Sequence, residues 1–164
     1  MKKLLIIAFI LPLAVFTGCK STEMTAEQMA KAGVMAGKIE TPRFTFSAIN
    51  AQPTGGRTVN LTSAYEVKIT PDTIQVYLPY FGRAYTAPIG NNEGGIRFTS
   101  TDFEYTSEKK RNGTYEITIT PHDIENNNML TGLVMRLSAG VTGYGTLSVQ
   151  STNRQNISFY GTIE

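Results

Sequence analysis

The hydrophobic pattern of the chain changes its period once. Near the N-terminus Met29, Ala32 and Ala36 recur at helical spacing, while from Arg43 onward apolar and polar residues alternate with period 2. Thr25-Ala26-Glu27-Gln28 has the form of a capping box, in which the Thr hydroxyl and the Gln side chain satisfy the first unpaired N–H groups of a helix. The helix is expected within residues 25–38, running to near Ala36, with Gly37 as its stop and Pro42 barring continuation. Gly33 inside it costs about 1 kcal/mol relative to alanine, so packing must hold this helix in place.

Residues 43–164 read as β structure. Phe44/Phe46/Ala48, Tyr65/Val67/Ile69, Ile74/Val76/Leu78, Tyr115/Ile117/Ile119, Leu133/Met135/Leu137, Leu147/Val149 and Ile157/Phe159/Gly161/Ile163 each place their apolar members on one face. The stretch Ile96 to Tyr105 begins with Ile96 and Phe98 inward and ends with Phe103 and Tyr105 on the opposite parity. One extra residue near Ser100 to Asp102 reconciles the two, which predicts a β-bulge or a bend there. Turn residues separate the runs at Pro53 to Gly56, Pro71-Asp72, Gly94-Gly95, Asn112-Gly113, Pro121 to Asn128, Gly140 to Gly145 and Ser151 to Asn156. About eight half-buried strands so punctuated predict a mostly β fold: a single antiparallel β-barrel or β-sandwich preceded by one N-terminal helix.

The residues ahead of the helix carry an address. Met1-Lys2-Lys3 precedes an uncharged run from Leu4 to Phe16, too short for a membrane-spanning helix, which takes about 20 residues. Residues 1–18 therefore read as a signal peptide. Phe16-Thr17-Gly18-Cys19 resembles a bacterial lipobox, which implies cleavage before Cys19, a diacylglycerol on its sulfur and an acyl chain on its amine. Cys19 is the only cysteine in the chain, so it has no disulfide partner here, and lipidation accounts for its position and its solitude together. Two or three acyl chains anchor a protein stably where one does not. Residues 19–24 are then the anchor and a short tether, and the five residues from Lys20 to Met24 reach at most about 17 Å. The membrane is thus an expected partner through Cys19. Lys20 stands where an Asp would retain an enteric lipoprotein at the inner membrane, so the outer membrane is the expected location. Lys20-Ser21-Thr22-Glu23 holds a single acid, which favours the periplasmic face over export to the cell surface.

Composition narrows the function classes. In 164 residues, 41% are hydrophobic and 17% charged, which suits one globular domain able to bury roughly 70% of its unfolded surface. The 15 Lys and Arg face 13 Asp and Glu, and removing Lys2 and Lys3 with the signal peptide leaves 13 of each. A neutral mature chain argues against nucleic acid as a partner, which requires a net basic footprint.

Candidate chemistry is sparse. His122 is the one histidine, it lies in a polar loop, and no Gly-x-Ser-x-Gly elbow exists, so a nucleophilic triad is not expected. Zinc would need three or four imidazole or thiolate ligands, and the mature chain offers one His and a lipidated Cys; no metal or other cofactor is expected. Asp123, Glu125 and Asn127 alternate, yet Asn128 and Val134 stand where a calcium loop needs Gly and a bidentate acid. Asp102 and Glu104 would share a strand face about 7 Å apart, a spacing some glycosidases use, and they are the sole footing for a carbohydrate-active enzyme. Lys109-Lys110-Arg111 before Asn112-Gly113 reads as a solvated hairpin tip. Asp72-Thr73-Ile74 resembles a bacterial O-glycosylation acceptor.

The segment Tyr77-Leu78-Pro79-Tyr80-Phe81-Gly82-Arg83-Ala84-Tyr85-Thr86-Ala87-Pro88 gathers aromatics around one Arg. It suits two readings. The aromatics seal one end of the fold with Arg83 stacked on or between them, or rigid Tyr rings and a forked guanidinium form a binding patch. Here the chain resembles the domain-of-unknown-function family 4251, small secreted or lipid-anchored bacterial proteins. The resemblance is carried by Leu78 to Tyr85, by Gly94-Gly95-Ile96-Arg97-Phe98, and by Asn153-Arg154-Gln155 with Ile157 to Gly161, and it spans about Phe44 to Gly161. It implies that the three motifs belong together and supplies no catalytic residue.

In the last strand Ser158 and Tyr160 face outward, as Gln75 and Tyr77 do in Ile74 to Leu78. If those strands are near each other, Tyr77, Tyr80, Arg83, Tyr85, Arg154 and Tyr160 form one aromatic-basic surface. The expected function is a non-catalytic envelope lipoprotein binding a protein or small-molecule partner there. The alternative is a lipocalin-like carrier of a small apolar ligand, which Phe44, Phe46, Phe98 and Phe159 would oppose by filling the interior.

Overall fold

The structure, a computed structural model, describes residues 25–85, 95–124 and 130–164. Its first element is helix α1 (Ala26–Glu40). The expected capping box is present: the Gln28 amide donates to Thr25 Oγ1 (3.3 Å) and the Thr25 amide to Gln28 Oε1 (2.9 Å). Gly37 does not stop the helix, because its φ is not in the left-handed region that such a stop needs. The end comes at Thr41, just before Pro42, where the Thr41 amide donates to Gly37 O (3.1 Å). The buried face also lies further along than expected: Met35 and Ile39 are buried with Ala36 beside them, whereas Met29 is 58% exposed. The chain enters the sheet at Phe44, so the last turns of the helix, not the first, lie over the core.

The strands are β1 (Phe44–Pro53), β2 (Val59–Ile69), β3 (Ile74–Leu78), β4 (Ile96–Ser100), β5 (Phe103–Lys109), β6 (Tyr115–Pro121), β7 (Val134–Ala139), β8 (Tyr144–Ser151) and β9 (Arg154–Ile163). Among the described residues they form one nine-stranded sheet in the order β4-β3-β2-β1-β9-β8-β7-β6-β5. Every pairing is antiparallel, so β4 and β5 run in the same direction. They are the two halves of one stave broken at Thr101-Asp102, the first half paired with β3 and the second with β6. The sheet thereby curls into a nearly closed barrel, and the ninth strand is the product of the bend that the parity change predicts.

Polar groups hold the corner. The Asp123 carboxylate accepts the amides of Thr101 (2.8 Å) and Asp102 (3.2 Å), and the His122 amide donates to Asp102 O (2.8 Å). The Ser100 hydroxyl and the Thr101 and Asp102 amides hold the Asp123 carboxyl down to about 2. Asp102 consequently sits in the bend, 3.5 Å from His122 Nδ1, and not on a strand face with Glu104.

Inside the barrel Phe44, Phe46, Phe159, Ile119, Met135, Leu137 and Leu147 are buried together. An interior of eight staves is just wide enough for side chains to fill. Gly161 lets the sheet fold tightly over this core: a Cβ there would stand 2.1 Å from Ser47 O and 2.9 Å from Phe46 Cζ. Opposite the single residue Ile49, β2 loops out four residues, Leu61 to Ala64, as the register passes from Ala48↔Tyr65 to Asn50↔Asn60.

Candidate functional site

β3 ends at Leu78 because Pro79 has no N–H with which to continue the ladder. The chain then crosses the end of the barrel to the β8–β9 turn. There the Gln155 amide donates to Arg83 O (3.0 Å), the Tyr85 amide donates to Asn153 O (2.8 Å), and Ala84 faces Arg154 in an isolated bridge. Residues 79–85 thus form a strap over the barrel mouth. The Tyr80 hydroxyl shares its one hydrogen between Arg83 O (2.9 Å) and Gln155 O (3.0 Å), while Gln155 Oε1 accepts from the Arg83 amide (3.2 Å). Gly82 makes room for this, since a Cβ at that position would lie 2.7 Å from the Tyr80 hydroxyl oxygen.

Beneath the strap lies Arg154, only 4% exposed. Its guanidinium carbon stands 4.7 Å from the centre of the Tyr80 ring, and Nη1 donates to Gly95 O (3.3 Å). Among the described residues it forms no ion pair with Asp or Glu, and its Nε has no hydrogen-bond partner. Burial pushes the Arg154 pKa down, opposed by the Tyr80 phenol; burial likewise pushes Tyr80 up, with Arg154 opposing. An unpaired buried donor costs about 1–3 kcal/mol, and a buried cation lacking a counter-charge costs more.

The three motifs of the sequence meet here: Tyr80 and Arg83 from the first, Gly95 from the second, Arg154 and Gln155 from the third. Arg154, not Arg83, is the arginine stacked on the aromatic seal. Arg83 is exposed on the solvent side of the strap, as is Tyr85 at 66%.

Tyr77 and Tyr160 stand elsewhere. Tyr77 is on the outer face of β3 between Tyr65 (ring centres 5.2 Å apart, 29° between planes) and Arg97, whose guanidinium lies 4.5 Å from the ring centre and whose Nη2 donates to the Tyr77 hydroxyl (3.1 Å). Tyr160 is on the outer face of β9, stacked on Tyr144 (5.8 Å, 5°). β2 and β1 separate β3 from β9, a distance of about 14 Å at three inter-strand steps, so the six residues do not make one surface. The mouth keeps Tyr80, Arg83, Tyr85 and Arg154.

Sequence reasoning missed Gln155 and the Gly95 carbonyl as mouth residues, and Tyr65, Arg97 and Tyr144 as ring partners. Alternation places Arg97 outward, but only the register Tyr77↔Arg97 sets it over the ring. Cys19, Glu125 and Asn127 lie outside the described residues. Thr73, half-buried in the β2–β3 turn, receives the Thr70 hydroxyl on its carbonyl (2.9 Å). Among the described residues no group of three or more His, Cys, Asp and Glu is placed to hold a metal ion.

The profile of a family described as a domain of unknown function, DUF4251, matches residues 26–163. Among solved structures, the chain is similar to the crystal structure of a DUF4251 family protein from Bacteroides eggerthii. The TM-score is 0.55 at 13% identity, covering 83% of this chain and 90% of that one. No curated protein matches the sequence.

Proposed function

The chain belongs to the DUF4251 family, a domain of unknown function, and from that premise we propose that it is a non-catalytic lipoprotein of the cell envelope whose barrel mouth binds a partner. The lipobox-like Phe16 to Cys19 supports a lipid anchor on Cys19, at the periplasmic face of the outer membrane. The observation that carries the binding role is Arg154: a guanidinium buried under Tyr80 whose Nε has no hydrogen-bond partner among the described residues, beside a strap that presents Arg83 and Tyr85 to solvent. Aromatic rings and arginines held rigidly together are the side chains that dominate recognition surfaces.

The test is capture from envelope extracts, comparing the native protein with Arg83→Ala plus Tyr85→Ala and with Arg83→Ala plus Arg154→Ala. Arg83 and Tyr85 are exposed and replaceable without touching the core, so the first pair guards against loss through misfolding. We expect each pair to lose at least about tenfold of the captured partner, as truncation of central interface residues does. Equal recovery by all three proteins removes the mouth as the site. The anchor is read separately by metabolic labelling with palmitate, which should mark the native protein and not Cys19→Ser.

A further inference from the structure

Three features share one end of the domain, and it is the end the chain enters first. α1 begins at Ala26, and the six residues from Lys20 to Thr25 hold it within about 25 Å of Cys19. Beside α1 an apolar groove of about 390 Å³ runs between Ala30, Val34 and Met35 and the β7–β8 turn at Val141 to Gly143. Val34 is 63% exposed, and Met29 lies exposed one turn before Ala32. The β5–β6 turn adjoins the same ground, since a Cβ on Gly113 would stand 3.3 Å from Val141 Cγ1. That turn brings Lys109, Lys110 and Arg111. Glu27 pairs with Lys31 (2.7 Å) and Glu108 with Lys110 (2.7 Å), Lys109 lies 5.4 Å from the Tyr115 ring centre, and the exposed Glu164 follows Ile163, whose amide donates to Gly143 O (2.7 Å). An exposed apolar strip with cations at its rim therefore lies at the end of the domain where α1 begins.

We infer that this end of the domain rests on a lipid headgroup surface, with Met29, Val34 and Val141 entering the headgroup layer and Lys109 and Arg111 meeting lipid phosphates. The inference rests on the lipid-anchor reading, because the tether decides which surface these residues meet. Apolar side chains next to an anionic headgroup plane, with lysine and arginine at its level, is the arrangement by which peripheral elements lie on membranes. The strap over the mouth, on strand ends opposite those that meet α1, then points away from the lipid and stays open to a partner.

The test uses the lipidated full chain in vesicles of phosphatidylethanolamine and phosphatidylglycerol carrying a headgroup nitroxide. In the lipidated protein the Cys19 sulfur is blocked, so Val34→Cys, Arg111→Cys or Tyr85→Cys supplies one thiol for a fluorophore. We expect quenching at least about threefold stronger from Val34→Cys and Arg111→Cys than from Tyr85→Cys, and its loss from Arg111→Cys on adding Met29→Glu with Val34→Glu. Equal quenching at all three positions in palmitate-labelled protein overturns the resting surface and leaves the anchor standing. Protein that takes no palmitate and does not join vesicles overturns both. Shielding of Val34→Cys that is identical in detergent, in particles of twice the monomer mass, assigns the groove to a second copy of the chain and overturns the lipid contact.

Discussion

At Asp123 a single carboxylate replaces the ladder partners that Thr101 and Asp102 give up where the stave breaks. The Ser100 hydroxyl and those amides depress its pKa from an ordinary 3.8 to about 2. A folded-state pKa below the unfolded one means stabilisation that is complete above the ordinary carboxylate value and is lost as pH falls through the folded value. Asp123→Asn should therefore lower the urea midpoint at pH 7 and flatten the loss of stability between about pH 4 and pH 2, measured by urea titration across that range. An acid limb unchanged from the native protein would contradict the role. Residue-scale chemistry was only half legible beforehand. Arg83 and Arg154 stood in the sequence as equivalent arginines, and burial separates them, one beneath Tyr80 and one in solvent.

The elements follow local chemistry where local chemistry suffices. The capping box of α1 needs only Thr25 and Gln28, so it could be read directly, whereas the C-terminal end depends on what Ile39 touches. There the Tyr105 hydroxyl donates to Ile39 O (3.0 Å), and burial pushes the Tyr105 phenol above its ordinary range. Tyr105→Phe leaves that carbonyl without its partner and should cost about 1 kcal/mol in urea unfolding, with the fold retained by circular dichroism. No change in the midpoint would show that the bond carries no net stability. Parity likewise located the break in the stretch Ile96 to Tyr105, but not that its two halves would take different neighbours. Four residues of β2 looping out opposite Ile49 left no mark in the alternation at all, because Leu61 to Ala64 has no apolar period to interrupt.

For the whole molecule the sheet order sets a gradient of protection. β1 and β9 are paired on both sides and lie at the centre of the order, while β4 and β5 are its two edges. Native-state hydrogen exchange should find the slowest amides in β1 and β9, and the fastest strand amides in β4 and β5. Protection of β4 and β5 equal to that of β1 would mean a fully closed barrel. The same order explains why the proposed aromatic-basic surface divides: Tyr77 and Tyr160 both face outward as alternation requires, but two strands intervene.

By itself the sequence determined one capped helix, a run of alternating strands, the turns between them, the break near Ser100, and the resemblance that the family match and the barrel fold bear out. All of these depend on neighbours within a few residues, where periods of 3.6 and 2 and the turn preferences of Gly, Pro and Asn act. The tertiary structure alone decided that the sheet curls into a nearly closed barrel, that β1 lies beside β9, and that a strap from β3 reaches the β8–β9 turn. Those pairings join residues far apart in the chain, Arg83 with Gln155 and Phe46 with Ile163. Alternation says which face a side chain takes and is silent about which strand lies next to it.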